Sequence, residues 1–129
     1  MPKVFACPSA PEARETGYTR YRVFAIPLGS PGRAPVFLEG ARGRNFFGIT
    51  DGTSNTILIV EAQQAVRWTQ PEFLPYYDDQ PLPALGGLHT SGFNALLADG
   101  SARFFRSSMS EKKLKAWITA DGGEIVNDD

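Results

Sequence analysis

Histidine and cysteine each occur once in this 129-residue chain, as His89 and Cys7. A single cysteine excludes an internal disulfide framework and a cysteine-rich zinc site. No run of about 18 or more apolar residues is present, so no stretch reads as a membrane-spanning helix. The opening residues lack the basic and apolar pattern of a signal peptide. A basic surplus is missing too: 13 Lys and Arg stand against 14 Asp and Glu, for a formal charge of −1. Non-specific binding to nucleic acid or to an anionic membrane needs such a surplus. There is no Gly-rich phosphate loop, no serine nucleophile elbow and no EF-hand run.

What is present fits one globular domain over residues 1–129. At this length a chain buries about two-thirds of its unfolded surface. Apolar residues make up 42% and charged residues 21%, the balance of an ordinary domain. Thirteen glycines and ten prolines predict many turns and short elements rather than a helical bundle.

Tyr18 to Ile26 reads as a strand, aromatic and β-branched, with Pro27 ending it. Val36 to Leu38 is a second short strand, and Gly40 to Gly43 is turn-rich. Asp51-Gly52-Thr53-Ser54-Asn55 is turn chemistry leading into a strand from Thr56 to Ala62, apolar enough to be buried on both faces. Trp68 to Pro83 reads as an ordered loop rich in proline and aromatics. Asp99-Gly100 between two apolar runs predicts a hairpin with a two-residue type I′ turn. That turn pairs Ala98 with Ser101 and places Phe93, Ala95, Leu97, Ala102 and Phe104 on the core face. A helix is expected over Ser108 to Thr119, capped by Ser108 with Glu111, its stripe being Leu114, Trp117 and Ile118. Gly122-Gly123 stops it, and Glu124 to Val126 follows as a last short strand.

Four short motifs stand in a fixed order: Val4-Phe5-Ala6-Cys7-Pro8-Ser9, then Ile49 to Leu58 (ITDGTSNTIL) with Glu61, then His89 with Asp99-Gly100-Ser101 after a nine-residue gap, then Gly122 to Val126. In these the chain resembles a paralogous planctomycete family of unknown function. Its members carry a prepilin-type N-terminus and a C-terminal His-x(9)-Asp-Gly signature. The resemblance runs from Val4 to Val126. Full-length members are similar to type IV pilins and type II secretion pseudopilins, with a basic leader and a long apolar helix that have no counterpart here. The resemblance therefore implies the globular part alone, placed at the cell envelope. It implies a pseudopilin-like α+β fold: an antiparallel sheet of about four to six short strands with a C-terminal helix packed on it.

Each chemically distinct residue has two readings. His89, in a Gly-rich loop, is either a metal ligand or general base, or a hydrogen-bonding residue facing the DGTSNT loop or the Asp99 turn. A direct His89–Asp99 pair is not expected, because the two flank one strand, some 20 Å apart at ~3.3 Å per residue. Asp51, Thr53, Ser54 and Asn55 are either an Asx or ST turn or, with His89, an oxygen-rich calcium site. Asp99 and Gly100 read as the turn itself. Glu61, in an apolar strand, needs a partner; Arg67, Arg103 and Arg106 are the candidates. Cys7, His89 and an acid make a thiol-protease-like trio in name, but no nucleophile signature surrounds Cys7, so its role is read as structural. Trp68, Phe73, Tyr76 and Tyr77 are either a recognition surface or a loop pinned by its own rings.

The expectation is a non-catalytic head that binds protein or glycan partners, with no cofactor, no nucleic acid and no membrane insertion by this chain itself. The alternative is a metal-dependent enzyme or calcium-binding module using the DGTSNT loop and His89.

Overall fold

A computed structural model of the chain describes residues 2–10, 17–27, 32, 34–38, 49, 52–70 and 72–119. Among the described residues, seven strands and one α-helix follow in order: β1 Tyr18–Arg22, β2 Phe24–Ile26, β3 Phe37–Leu38, β4 Ile57–Arg67, β5 Leu74–Pro75, β6 Gly92–Leu97, β7 Ala102–Arg106 and α1 Glu111–Ile118. Four strands form an antiparallel sheet in the order β1-β4-β6-β7, and three form a smaller sheet, β3-β2-β5, with parallel pairings. The fold is α+β, with the C-terminal helix as expected. The turn-rich stretch at Gly40–Gly43, Asp51, Gly122-Gly123 and the strand over 124–126 lie outside the described residues.

The single strand expected over Tyr18–Ile26 is two. Up to Arg22 the backbone pairs with β4. From Val23 onward it turns to a different neighbour: Leu74 N–H donates to Val23 O at 2.7 Å and Tyr76 N–H to Ala25 O at 2.9 Å. The proline-rich loop supplies that neighbour, a long-range pairing invisible in local sequence.

The hairpin has the right strands but a different register. Leu97 N–H donates to Ser101 O at 2.8 Å and Gly100 N–H to Leu97 O at 2.9 Å, so the loop is Ala98-Asp99-Gly100. Gly100 sits at φ +90°, while Ser91 is the one non-glycine with positive φ among the described residues, which excludes the type I′ turn. One extra loop residue turns β7 over. Phe105 pairs with Phe93 and is buried; Phe104 pairs with Asn94 and is 45% exposed, and Ala102 is exposed as well. Phe105, not Phe104, is the core aromatic.

The helix starts later than expected. Ser110 is its cap, accepting from Lys113 N–H at 3.3 Å, and the first helical residue is Glu111. Ser108 lies before it. Trp117 and Ile118 are buried and Leu114 packs beside them. The helix covers one face of the four-stranded sheet: Phe105 stacks on Phe93 at 5.7 Å and meets Trp117 edge-on at 5.2 Å. Phe24, Leu74 and Tyr76 of the smaller sheet and its flank close the same core.

Candidate functional site

The middle of β4 changes neighbours, and that change builds the site. Its first half pairs with β6, up to Val60 opposite Ala95. Its second half pairs with the segment at Leu85: Gln63 N–H donates to Ala84 O, Gly86 N–H donates to Glu61 O, and Ala62 bridges to Leu85. Residues 84–97 are therefore one interrupted partner strand with an excursion at 87–91. Gly86 and Gly87 at φ +76° and +90° turn the chain out, and Ser91 at φ +71° with a His89–Gly92 bridge turns it back.

Glu61 stands at the fork and is 3% exposed. One carboxylate oxygen, Oε2, accepts the Asn94 backbone N–H at 2.8 Å, a bond the sheet ladder leaves open there. The other, Oε1, lies 3.2 Å from His89 Nε2. Cys7, 4% exposed, brings its Sγ to 3.6 Å from the same Nε2. The three donor atoms all lie within 4.8 Å of one another. Tyr21, opposite Glu61 on β1, sees the cluster: burial first, then the charges of Cys7 and Glu61, push its phenol above its ordinary value. It therefore stays a neutral O–H at physiological pH.

Cys7 is held there by its own segment. Residues Lys3–Phe5 form a 3-10 turn, the Thr19 hydroxyl donates to Phe5 O at 2.6 Å, and the Phe5 ring stacks on Trp68 at 6.1 Å.

The arrangement speaks against a thiol-protease triad. Such a triad needs the thiol on one imidazole nitrogen and the orienting carboxylate on the other. Here thiol and carboxylate face the same nitrogen. What the geometry offers is convergence of three ligand types on one point.

Glu61 has a partner, but a histidine rather than an arginine. Arg103 lies over the rings of Trp117 and Phe105, and Arg67 over Tyr18. His89 meets neither the DGTSNT loop nor the Asp99 turn. It sits before β6, whereas the turn Thr53–Asn55 sits at the far end of that strand, where Asp99 N–H donates to Thr53 O and Ala98 N–H to Thr56 O. Asn55 and His89 are thus held apart, and the calcium set of Asp51, Asn55 and His89 is not assembled around them; Asp51 lies outside the described residues. Gly52 at φ +94° and the Thr56 hydroxyl on Gly52 O make the Gly52–Thr56 stretch a turn that braces the hairpin. Ser54 is exposed within it. Asp99 accepts from Ser101 at N–H and hydroxyl, and those bonds hold its carboxyl below the usual range.

The aromatic loop is not one surface. Tyr76 is fully buried, edge-on to Phe24, with its hydroxyl donating to Asp78 Oδ1 at 3.2 Å. It belongs to the core. Phe73 and Tyr77 are half-buried, and Trp68 is exposed and stacked on Phe5.

Cys7 was legible as one of two chemically singular residues, yet nothing local joins it to His89, 82 positions away. Tyr21 and Asn94 carried no signal: one acts through its place opposite Glu61, the other through its backbone. Compared with known proteins, the chain matches no family model, no curated protein and no solved structure. No helix among the described residues is long and apolar enough to cross a membrane.

Proposed function

We propose that this chain is a non-catalytic binding module, the head of a pilin- or pseudopilin-like envelope protein, and that it works by contact with protein neighbours. The observation that supports this reading is where the exposed apolar groups fall. The large exposed hydrophobics among the described residues are Val4, Phe5, Trp68 and Phe104. Phe104 faces the side of the four-stranded sheet opposite α1. Val4 and Phe5 line a groove of about 380 Å³ on that side, together with Ile59, Leu96 and Ala102, and Trp68 stacks on Phe5. The other face of the sheet is the one packed on the core, where Trp117 of α1 meets Phe105. A clustered apolar face with few charges suits a protein partner better than a glycan or an anion.

The test is in-cell photocrosslinking of the protein in its own host, with the photoreactive residue placed at Ala102 on the sheet face opposite α1 or at Lys112 on the exposed side of α1. A discrete protein adduct from Ala102 and none from Lys112 is expected. Absence of an adduct from Ala102, or equal adducts from both positions, overturns the reading.

A further inference from the structure

We propose that Cys7, Glu61 and His89 form a binding site for one zinc-type divalent transition-metal ion, which clamps the segment 3–10 onto the sheet. The inference rests on the cluster's own geometry and not on the docking reading, although Glu61 also lines the groove that Val4 and Phe5 border. A tetrahedral zinc centre, with sulfur at about 2.3 Å and nitrogen or oxygen at about 2.0–2.1 Å, sets S···N about 3.6 Å and N···O about 3.3 Å apart. The chain holds Cys7 Sγ 3.6 Å and Glu61 Oε1 3.2 Å from His89 Nε2.

Charge and donor type agree with the distances. A cysteine thiolate and a carboxylate cancel the two charges of the ion while histidine binds neutral. Sulfur and imidazole select zinc and its neighbours over calcium, which takes six to eight oxygens. Glu61 is oriented from behind, as ligating carboxylates usually are: its Oε2 is fixed by Asn94 N–H, leaving Oε1 to the ion. The three ligands come from separate parts of the chain, the N-terminal segment, β4 and the 87–91 excursion, so the ion would lock all three together.

The test uses the 129-residue chain, stripped with EDTA and titrated with cobalt(II), then with zinc(II). One equivalent of cobalt is expected to give the intense visible bands of a four-coordinate ion and a thiolate-to-cobalt charge-transfer band. Zinc then displaces it, because a d10 ion has no ligand-field preference to give up in a four-coordinate site. Zinc should raise the melting midpoint and slow amide exchange in residues 3–10. Cys7→Ser removes the charge-transfer band, and Cys7→Ser, Glu61→Gln and His89→Ala each weaken zinc by at least the ~10–100-fold typical of losing a supporting partner. A wild-type spectrum showing weak, six-coordinate cobalt without a thiolate band overturns the proposal. So does zinc affinity that Cys7→Ser leaves unchanged. The wild-type spectrum decides by itself, so a variant that fails to fold does not spare the proposal.

Discussion

The two ends of β6 carry the two halves of one sequence motif and do different things with them. At the hairpin end, Asp99 bonds Ser101 two residues on, and the Gly52–Thr56 turn braces the loop through backbone bonds. At the fork end, His89 reaches Glu61 across 28 positions and Cys7 across 82. Residues whose hydrogen bonds close locally are accounted for by the turn they make. Residues that can be satisfied only by distant partners are where chemistry collects. The spacing between His89 and Asp99 is the length of a strand, not the reach of a pair.

The largest effect tests the register between those ends. Phe105→Ala should cost about 3–5 kcal/mol, as for other buried aromatics, while Phe104→Ala should stay within about 0.5 kcal/mol. Chemical denaturation of both variants checks it; the reverse order would restore the two-residue turn. Next comes Gly92, where β6 starts. A Cβ there would collide with the Phe105 backbone O and meet the Phe104 ring at 2.7 Å. Gly92→Ala should cost at least ~1–3 kcal/mol, the range for overpacking, whereas Gly100→Ala meets open space and suffers only its positive φ. Thermal melts of the pair separate crowding from backbone strain.

Glu61→Ala strips the side-chain partner from the Asn94 N–H, in a part-buried hydrogen bond, and should cost about 1–3 kcal/mol. Glu61→Gln, which keeps an acceptor oxygen, should cost less, and amide exchange at Asn94 reports the difference. The smallest effect belongs to the exposed Asp99. Its carboxyl titrates below the ordinary value of about 3.9. Its contribution is therefore present above that value and fades as pH falls through the lower, folded-state one. Asp99→Asn should flatten the acid limb of hairpin stability and leave the fork untouched, as amide exchange at Ser101 and Asn94 would show.

The α+β class, the hairpin strands, the strand after the Gly52–Thr56 turn and the C-terminal helix were legible because alternation, turn residues and an apolar stripe are local signals; β5 and the break between β1 and β2 were not. The register of β7 was not, because two-residue and three-residue loops both accept Asp-Gly, and only Gly100 at positive φ with Asp99 at negative φ separates them. Tyr76 looked like loop decoration because the parallel pairing of β2 with β5 that buries it joins residues some fifty apart. The chemistry of the site was half-legible. Glu61 in an apolar strand demanded a partner, and His89 stood alone in a glycine-rich loop. Their meeting depends on β4 exchanging neighbours at Glu61, and the arrival of Cys7 depends on how the N-terminal segment lies against β1. Neither event has a local spacing.

The most direct test of the convergence is solution NMR of the 129-residue chain. Cross-relaxation between the His89 ring protons and the Cys7 β-protons, with slow exchange of the Asn94 amide proton, is the expected result. A His89 ring that tumbles without contact to Cys7, beside a rapidly exchanging Asn94 amide, would contradict it.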